Sequence, residues 1–566
     1  MNQQLTKFAV ILLSPFLLFI SLVSYAKEPP KLILQITIDQ MRGDFPTRYY
    51  DKLSDGGFKY FLNKGVVFTD AHHQHANTET IVGHTTLATG AHPSSHGMVG
   101  NLWYDSIESR AVYNIEDARY SLLSENAGVN KNSEIDPTQA TAKTDGRSPS
   151  AILTTTFSDE LNLHFNGQSK VFGVSVKDRG AVSMAGHTGK AFWFSKKNGQ
   201  FVTSNYYYDQ YPNWVVDWNK QKLADKYANT HWNLLKNKDS YLFKNDDDQP
   251  WETDLAGFKR TFPHPYGKLT SPYYYTLLTI SPAGDDLTLD FAKHVLLSEK
   301  LGKDNIPDYL SVSFSSTDYV GHMFGPNSLE SEDNILRLDK TLEDILKYVD
   351  KQVGLNNTLV VLSADHGAAN TPGYLNKHGI PASYITPDNW PLISVAEKVK
   401  KQFGIKHKLI EAFVSPYLYL TDEVKQDKNI DHLALEKALA LAFSKFEGVQ
   451  SVVSSRAIQQ GQVSDIELVS FVRNNLHTER SGELYFIYKP HHFINDFDSV
   501  VVASTHGSPW SYDTFVPIMF AGNGLSPKVI NKRVNTVDIA KTLSNYVGIN
   551  APSGAVGKNI LSAHQK

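Results

Sequence analysis

The stretch DYLSVSFSSTDYVGHMFGPNSLESEDNILRLDKTLEDILKYVDKQVGLNNTLVVLSADHG (308–367) contains two apolar, β-branched runs separated by a long amphipathic segment. Apolar residues recur at helical spacing over 335–349, which predicts a helix between two strands. Polar residues stand where each strand finishes, Asp318 after the first and Asp365 with His366 after the second. A strand, a helix and a strand in this order are typical of a parallel sheet covered by helices.

Two earlier apolar runs show the same pattern. KLILQITIDQM (31–41) stops at Asp39, and QSKVFGVSVKDRGA (168–181) stops at Lys177. Ligands of open parallel sheets bind beyond the carboxyl ends of the strands, so four strands would bring charged groups to one edge. FVPIMFAG (515–522) predicts one more strand. We therefore predict an α/β fold with a mostly parallel central sheet sandwiched by helices.

Two long segments fit this pattern badly, and we predict that they are insertions into a single domain spanning residues 27–566. Residues 190–280 hold five of the eight tryptophans and are too aromatic for a disordered linker. These tryptophans can form a carbohydrate platform, but packing in the core or over the site is favoured. Residues 372–490 form the second insertion and contain helical pieces.

The first 26 residues have the pattern of a secretory signal. Lys7 precedes an apolar run over 8–23, and the small residues before 27 suit cleavage after Ala26. An uncleaved anchor helix is less favoured because the run is short and Pro15 interrupts it. We expect a periplasmic or secreted protein that does not contact the membrane after cleavage.

The composition limits the kinds of partner and the sources of stability. The formal net charge is -4 and the chain has no cysteine. A mildly acidic chain is a poor candidate for binding nucleic acid through its overall field. Without disulfides, an exported protein needs a large core, to which bound metal can add stability. We expect a monomer.

A set of aspartates and histidines is a candidate for holding metal ions. Asp318 and His322 are four residues apart, so on a helical turn they share a face. Each residue alone is more often a helix cap or a structural histidine. Together, and without cysteine, they suit Zn²⁺ or another borderline divalent ion. The set comprises Asp39, Asp318, His322, Asp365, His366 and His506.

The ordered combination of IDQMR, TIVGHTTLATG, GMVGNLWYD, SVKDRGA, STDYVGH, SADHG and STHGSP resembles the alkaline phosphatase superfamily. It is most similar to the secreted, monoester-cleaving bacterial alkaline phosphatases of the type I phosphodiesterase and nucleotide pyrophosphatase branch. Any one motif, such as ADHG, is weak, whereas the ordered set is specific. The resemblance implies an alkaline-phosphatase-like fold and a phosphatase that acts on small-molecule phosphate monoesters.

The resemblance also implies two Zn²⁺ ions. One would be held by Asp318, His322 and His506. The other would be held by Asp39, Asp365, His366 and Thr80. Zinc lowers the pKa of a bound water from 15.7 to about 7, and the same polarisation would make a threonine hydroxyl reactive.

The resemblance assigns catalytic roles to four residues. Thr80 would be the nucleophile and would form a phosphothreonine intermediate. Asn101 would bind a phosphoryl oxygen, and Lys177 and Arg179 would contact the phosphate. We predict that these two cations lie on an extended segment and project the same way. They would favour a dianionic monoester over a monoanionic diester. The alternative is a solvated turn.

Six other histidines and Glu79 are candidates for supporting roles. For His72, His73 and His75 we expect surface positions or support of the site, because no carboxylate stands at a suitable spacing. His84, His92 and His96 would pack around the nucleophile helix. Glu79, beside Thr80, can face solvent or alter how the site accepts the alcohol.

Three other functions compete with a phosphomonoesterase. The nearest is a phosphodiesterase or nucleotide pyrophosphatase of the same fold, against which Lys177, Arg179 and Asn101 argue. A non-catalytic, metal-dependent phosphate binder would keep the metal ligands and not need Thr80. A sulfatase is disfavoured, because there is no cysteine and no S-x-P-x-R run.

Overall fold

The computed structural model describes residues 28–464, 466–497 and 500–561. The predicted signal, residues 1–26, lies outside the described residues. Within the described ranges, none of the helices combines the length and the apolar character needed to cross a membrane.

A nine-stranded sheet forms the centre of the protein. Its spatial order is β9-β2-β8-β7-β1-β6-β3-β4-β5. In chain order the strands are β1 (Leu32–Ile38), β2 (Val66–Phe68), β3 (Val171–Ser175), β4 (Lys190–Phe194), β5 (Phe201–Val202), β6 (Asp308–Phe314), β7 (Thr358–Ser363), β8 (Ile518–Gly522) and β9 (Lys528–Ile530).

The five strands from β7 to β4 are parallel, which confirms the predicted mostly parallel sheet. Strand β8 pairs antiparallel with both β7 and β2, and β5 pairs antiparallel with β4. An apolar run predicts a buried strand but carries no information about its direction. The sheet is therefore mixed at both sides of a parallel centre.

Seven helices matter most for the site and the layers around the sheet. They are α1 (Thr80–Thr89), α2 (Phe157–His164), α3 (Asp178–Ala185), α4 (Pro282–Ser298), α5 (Ser316–Phe324), α6 (Leu329–Gln352) and α7 (Asp538–Val547).

Strand β1 shows how the two faces of the sheet are covered. All seven of its residues are buried. Leu34 and Ile36 join a core cluster with apolar side chains of α4 and α6. Ile33 belongs to another cluster with side chains of α1, α2 and α7. Successive strand residues point to opposite faces, so a strand that is buried along its whole length requires a helical layer on each side.

The two segments predicted as insertions differ in their relation to the sheet. Strands β4 and β5 lie at the start of the first segment, and Trp218 and Trp232 are 1% and 2% exposed within the main core. The second segment forms a separate antiparallel sheet of Ile410–Val414, Tyr417–Leu420, Leu484–Tyr488 and Val449–Ser454, with its own core. The division into one domain with two insertions stays a prediction.

The remaining elements are short or lie at the periphery. Strands are Ala71–His72, Leu102–Asp105, Arg110–Tyr113, His231–Trp232, His264–Pro265, Ser383–Ile385, His492–Ile494, Asp496–Phe497, Val500–Val501 and Val534–Asn535. Helices are Phe45–Arg48, Phe58–Lys64, Pro93–His96, Pro137–Thr141, Asn213–Lys220, Tyr274–Thr279, Pro372–Lys377, Leu392–Gln402, Asp422–Gln426, His432–Phe443, Ser455–Gln459, Glu467–Asn475 and Ser511–Thr514.

Candidate active site

The carboxyl ends of four parallel strands bring the candidate residues to one edge of the sheet. Asp39 directly follows β1, and its backbone N–H donates to Phe314 O at the end of β6 (3.0 Å). Lys177 lies two residues beyond β3, and Asp365 lies two residues beyond β7. Helix α5 begins two residues after β6 and carries Asp318. The parallel topology therefore assembles groups that are far apart in sequence.

Asp318, His322 and His506 form the first group of possible metal ligands. His322 Nε2 is 3.2 Å from Asp318 Oδ1, one helical turn away, and His506 Nε2 is 3.4 Å from the same oxygen. The Nδ1 atoms donate to backbone carbonyls, that of His322 to Ser504 and that of His506 to Thr78 (both 2.8 Å). These bonds orient both rings so that Nε2 faces Asp318.

Asp39, Asp365 and His366 form the second group. His366 Nε2 is 3.4 Å from Asp39 Oδ1 and 3.3 Å from Asp365 Oδ2. Asp318 also stands within 4.8 Å of the ligand atoms of Asp39 and His366, so the two groups are adjacent. The rings of His366 and His506 stack with centroids 3.5 Å apart.

Several buried atoms of the second group make no hydrogen bond. They are both carboxylate oxygens of Asp39, Asp365 Oδ2 and His366 Nε2. Asp39 Oδ2 does lie 2.9 Å from Lys177 Nζ, but outside hydrogen-bonding angles. Burial, together with the charge of Asp365, raises the pKa of Asp39 to about 7 against the opposing charge of Lys177.

This donor set fits divalent metal ions. Buried carboxylates repel each other unless cations compensate them, and carboxylate oxygens with imidazole nitrogens are ligands that zinc accepts. The residues present therefore match the chemistry of a metal centre.

Thr80 is the first residue of α1 and is fully buried. Its Oγ1 accepts from Lys177 Nζ at 3.4 Å and from Arg179 Nη2 at 3.3 Å. Helix α1 can approach the metal ligands because residue 83 is glycine: a Cβ there would lie 1.9 Å from Asp365 O. The start of α1 thus presents a hydroxyl between two cations and beside the second ligand group.

Lys177 and Arg179 converge on Thr80, but not from one extended segment. Lys177 is the N-cap of α3 and Arg179 is already helical, because β3 ends at Ser175. The predicted extended segment is therefore correct for Lys177 and wrong for Arg179, because helix α3 begins at Asp178, between the two residues. Burial lowers the pKa of Lys177, but Asp318 and Asp39 outweigh it and the pKa is raised.

Arg179 keeps one edge of its guanidinium available. Nη1 pairs with Asp136 Oδ2 at 2.6 Å, whereas the buried Nε makes no hydrogen bond. Burial lowers the pKa of Arg179, but the charge of Asp136 raises it well above its ordinary value. Nε and Nη2 donate along a common edge of the planar group, which suits a bidentate contact to two phosphate oxygens.

Asn101 is held by the start of α1 and by Glu79. Its Oδ1 accepts from the backbone N–H of Ile81 at 3.2 Å, and its own backbone N–H donates to Glu79 Oε2. Asn77 Nδ2 donates to the same Glu79 oxygen at 3.2 Å. This arrangement leaves the Asn101 amide nitrogen to act as a donor. Glu79 faces the active-site cavity, where it anchors Asn101.

The histidine cluster after β2 is buried. His73 and His75 are fully buried and His72 is 8% exposed, so the surface alternative is wrong. His73 Nε2 donates to Ala364 O at 3.0 Å, next to Asp365. His84 Nδ1 lies 3.1 Å from Asp365 Oδ2. His73 and His84 therefore support the end of β7, so for His73 support of the site is the expected alternative that the packing favours.

Sequence reasoning missed Gln40 and Asp136. Gln40 Nε2 donates to Asp318 Oδ1 at 2.8 Å, and its backbone N–H donates to Asp365 Oδ1 at 3.1 Å. It thereby links both ligand groups and adopts a positive φ of 61°. Its place beside Asp39 in IDQMR was the available signal. For Asp136, the partner of Arg179, the sequence held no comparable signal.

A cavity of about 570 Å³ opens from this site, and Asn101, Arg179, Asp318, His322 and His506 are among the residues that line it. Its size falls in the range of small-molecule sites. The site can therefore receive a ligand much larger than phosphate.

Comparison with known proteins identifies relatives over nearly the whole chain. Alkaline phosphatase PafA of Elizabethkingia meningoseptica is 36% identical over 536 residues, which cover 94% of each chain. Alkaline phosphatase PhoV of Synechococcus elongatus is 35% identical over 539 residues, covering 94% of this chain and 92% of the relative.

The fold also matches a solved structure. The crystal structure of wild-type PafA aligns with a TM-score of 0.83 at 35% identity, covering 94% of this chain and 98% of that one. The family model for type I phosphodiesterase / nucleotide pyrophosphatase matches residues 33–509. The chain belongs to the type I phosphodiesterase / nucleotide pyrophosphatase family.

Proposed function

We propose that this protein is a zinc-dependent alkaline phosphatase that hydrolyses small-molecule phosphate monoesters through a phosphothreonine at Thr80. The observation that carries the proposal is the convergence of Lys177 and Arg179 on the Thr80 hydroxyl, beside two groups of metal ligands. The relatives PafA and PhoV are named alkaline phosphatases.

Two Zn²⁺ ions fit the donor atoms. Asp318, His322 and His506 would hold one. Asp39, Asp365, His366 and Thr80 would hold the other. When bound, the ions supply positive charge that favours the ionised form of the Thr80 hydroxyl and of the departing alcohol.

The protein's own groups position the phosphoryl group. Thr80 Oγ1 gives up its proton to solvent and forms a bond to phosphorus as the bond to the alcohol oxygen breaks, and the alcohol oxygen takes up a proton from water. A water molecule then cleaves the phosphothreonine, which releases inorganic phosphate and restores the hydroxyl. Arg179 Nε and Nη2, Lys177 Nζ and the Asn101 amide would hold the three remaining oxygens.

Charge favours a monoester over a diester. A monoester is a dianion, so it can use both buried cations, whereas a diester is a monoanion and gains less from the second cation. The nearest alternative remains a phosphodiesterase or nucleotide pyrophosphatase, which is the description of the family itself. The ratio of kcat/KM for a monoester and its matched diester decides between them.

A phosphoprotein assay tests the nucleophile. Protein mixed with a labelled monoester and quenched in acid should retain label in the native chain and lose it in Thr80→Ala. Thr80→Ser keeps a hydroxyl and should retain label. A non-catalytic phosphate binder would bind the monoester in both proteins, without turnover or acid-stable label.

We also propose that the mature chain begins after a cleaved signal, residues 1–26, and acts as a monomer in the periplasm or outside the cell. The charge and apolar pattern of that segment supports the signal. Mass spectrometry of the exported protein should give an N-terminus at Lys27, and light scattering should give the mass of one chain.

A further inference from the structure

The active-site cavity is lined by residues proposed to bind phosphate and by aromatic residues in or just beyond the second predicted insertion. Asn101 and Arg179 belong to the first set, and Phe413, Tyr488 and Phe493 belong to the second. Both sets line one cavity of about 570 Å³. A phosphoryl group fills only a small part of this volume, so the remainder is available to the alcohol portion of a substrate.

The apolar part of the lining, here called the wall, contains aromatic side chains that are held by other rings. Phe413 packs edge-on against Phe486, with centroids 5.2 Å apart, and at 6.0 Å from Trp390. Phe493 packs edge-on against Tyr384 at 5.5 Å. Ile494 extends the wall. Aromatic side chains fixed by such contacts offer a preformed surface to a planar ring.

Met323 and Ile135 line the same cavity. Met323 comes from α5, the helix that also carries Asp318 and His322. A flexible thioether adapts to irregular apolar groups and makes favourable contacts with rings. Apolar side chains from the central domain and from the second predicted insertion therefore line the cavity together.

The charge of the cavity disfavours a second anionic group. Arg179 is the one lysine or arginine among the described residues that line it, and it is a residue proposed to bind the transferred phosphate. The acidic side chains of Glu79, Asp136, Asp318, Asp388 and Asp513 also line it. A leaving group that carries its own phosphate would meet these acidic groups without a second lysine or arginine.

We propose that the part of the cavity lined by the wall is a leaving-group subsite. It would accept an uncharged alcohol that carries an aromatic ring, with Phe413 and Phe493 as its main contacts. The inference rests on the proposed phosphomonoesterase function and names its substrate class. Phosphate binds at Arg179 and Asn101, and the ring lies against the wall contributed by strands Ile410–Val414 and His492–Ile494.

Two alkyl monoesters with nearly equal leaving-group reactivity test the subsite. Phenylpropyl phosphate and propyl phosphate differ by a ring that is too distant from the oxygen to change its pKa much. We expect kcat/KM to be about tenfold higher for phenylpropyl phosphate, as partial burial of a phenyl ring implies. Propane bisphosphate, whose leaving group is anionic, should be poorer than propyl phosphate.

Variants of the wall should reduce this preference. Phe413→Ala should bring the ratio of the two kcat/KM values several-fold closer to one. Ile494→Ala should reduce the ratio less, and it replaces Phe413→Ala as the test variant if Phe413→Ala does not fold. Leu441→Ala is the matched control: it shortens an apolar side chain of the same predicted insertion that is 69% exposed, and should leave the ratio unchanged.

Binding measurements separate failure of the subsite from failure of the proposed function. Calorimetry on Thr80→Ala should show tighter binding of phenylpropyl phosphate than of propyl phosphate, whether or not the native protein turns them over. If the native protein hydrolyses both esters with equal kcat/KM, and Thr80→Ala binds both with equal affinity, the subsite is overturned and the phosphatase activity is not. Absence of turnover of both esters would overturn the phosphatase, while the affinities would still decide the subsite.

Discussion

Arg179 shows how one side chain is prepared for a ligand by its neighbours. Asp136 holds Nη1, which leaves the Nε and Nη2 edge toward Thr80. Lys177 is different, because its ammonium contacts Asp39 and Asp318, one carboxylate from each ligand group. In the proposed mechanism the two cations therefore have separate roles: Arg179 would bind phosphate oxygens with defined geometry, whereas Lys177 would connect the phosphate site to the proposed metal ligands.

Removing both cations should separate monoester from diester chemistry. We expect Lys177→Ala combined with Arg179→Ala to lower kcat/KM for a monoester by roughly a hundredfold or more, since each removes charge stabilisation at the transferring phosphoryl group. The loss for the matched diester should be far smaller. Steady-state kinetics on both esters measures the difference.

Lys293→Ala is the control, because Lys293 pairs with exposed Asp344 on the surface. Equal losses for monoester and diester would show that Lys177 and Arg179 only hold structure.

Helix α1 depends on close approach to the end of β7. Gly83→Ala would place a Cβ 1.9 Å from Asp365 O, so the helix or the strand end must move. We expect a loss of about 3 kcal/mol in the free energy of unfolding, together with lower zinc content, because Asp365 is displaced. Denaturant unfolding and metal analysis measure both effects.

Gly180→Ala in α3 is the control for Gly83→Ala, because it adds the same methyl group at a less crowded position. There a Cβ would have its closest neighbours, His84 Nε2 and Ser175 Oγ, at 3.2 Å, and both are side-chain atoms that can shift. Its cost should be much smaller, partly offset by the better helix propensity of alanine. If the two substitutions lowered the free energy of unfolding equally, the close contact of α1 with Asp365 would not explain the cost of Gly83→Ala.

Asp159 joins the start of α2 to the end of α3. It completes a capping box with Thr156, and its carboxylate pairs with His187 Nδ1 at 2.8 Å. The hydrogen bond to Asp159 raises the pKa of His187 above its ordinary value of 6.5. Although burial opposes the shift, the pKa of Asp159 is lowered from 3.8, with the bond to His187 as the leading favourable cause.

This pair should stabilise the fold most at mildly acidic pH. A raised histidine pKa contributes stability below the unfolded value and loses it as pH rises through the folded pKa. A lowered aspartate pKa contributes stability above its unfolded value and loses it as pH falls. His187→Gln should therefore lower Tm more at about pH 5.5 than at about pH 9.

His164→Gln is the control, since His164 is exposed on α2. If the loss of Tm caused by His187→Gln were larger at alkaline pH than at acidic pH, the assigned direction of the pKa shift of His187 would be contradicted.

The protein as a whole should depend on metal for both stability and turnover. Asp39, Asp318 and Asp365 are buried together. Chelation should abolish activity and lower Tm, because a ligand present at a thousand times its Kd stabilises the native state by about 4 kcal/mol. Zinc should restore both. If metal analysis shows that the protein is free of metal and the protein is still fully active, the proposed mechanism is wrong.

Prediction from sequence worked best where the signal was local. The helical spacing of Asp318 and His322, and the polar residues after β1, β6 and β7, follow from patterns within a few residues of each other. Lys177 and Arg179 show the limit: a shared role toward one ligand was expected, but the helix that begins between them was not. Asp136 could not be found this way, because its partner Arg179 lies far along the chain. For His73 the local pattern left surface and support roles open, and only long-range packing decided between them.

The sequence alone determined the order of strands and helices and the residue types that end each strand, because apolar periodicity and turn chemistry are local properties. It also carried the ordered motifs of the family. Tertiary structure alone decided that β8 runs antiparallel, that His506 lies 3.4 Å from Asp318, and that the second predicted insertion lines the cavity. The physical reason is that such contacts minimise the free energy of the whole packed core, which no short window of residues encodes.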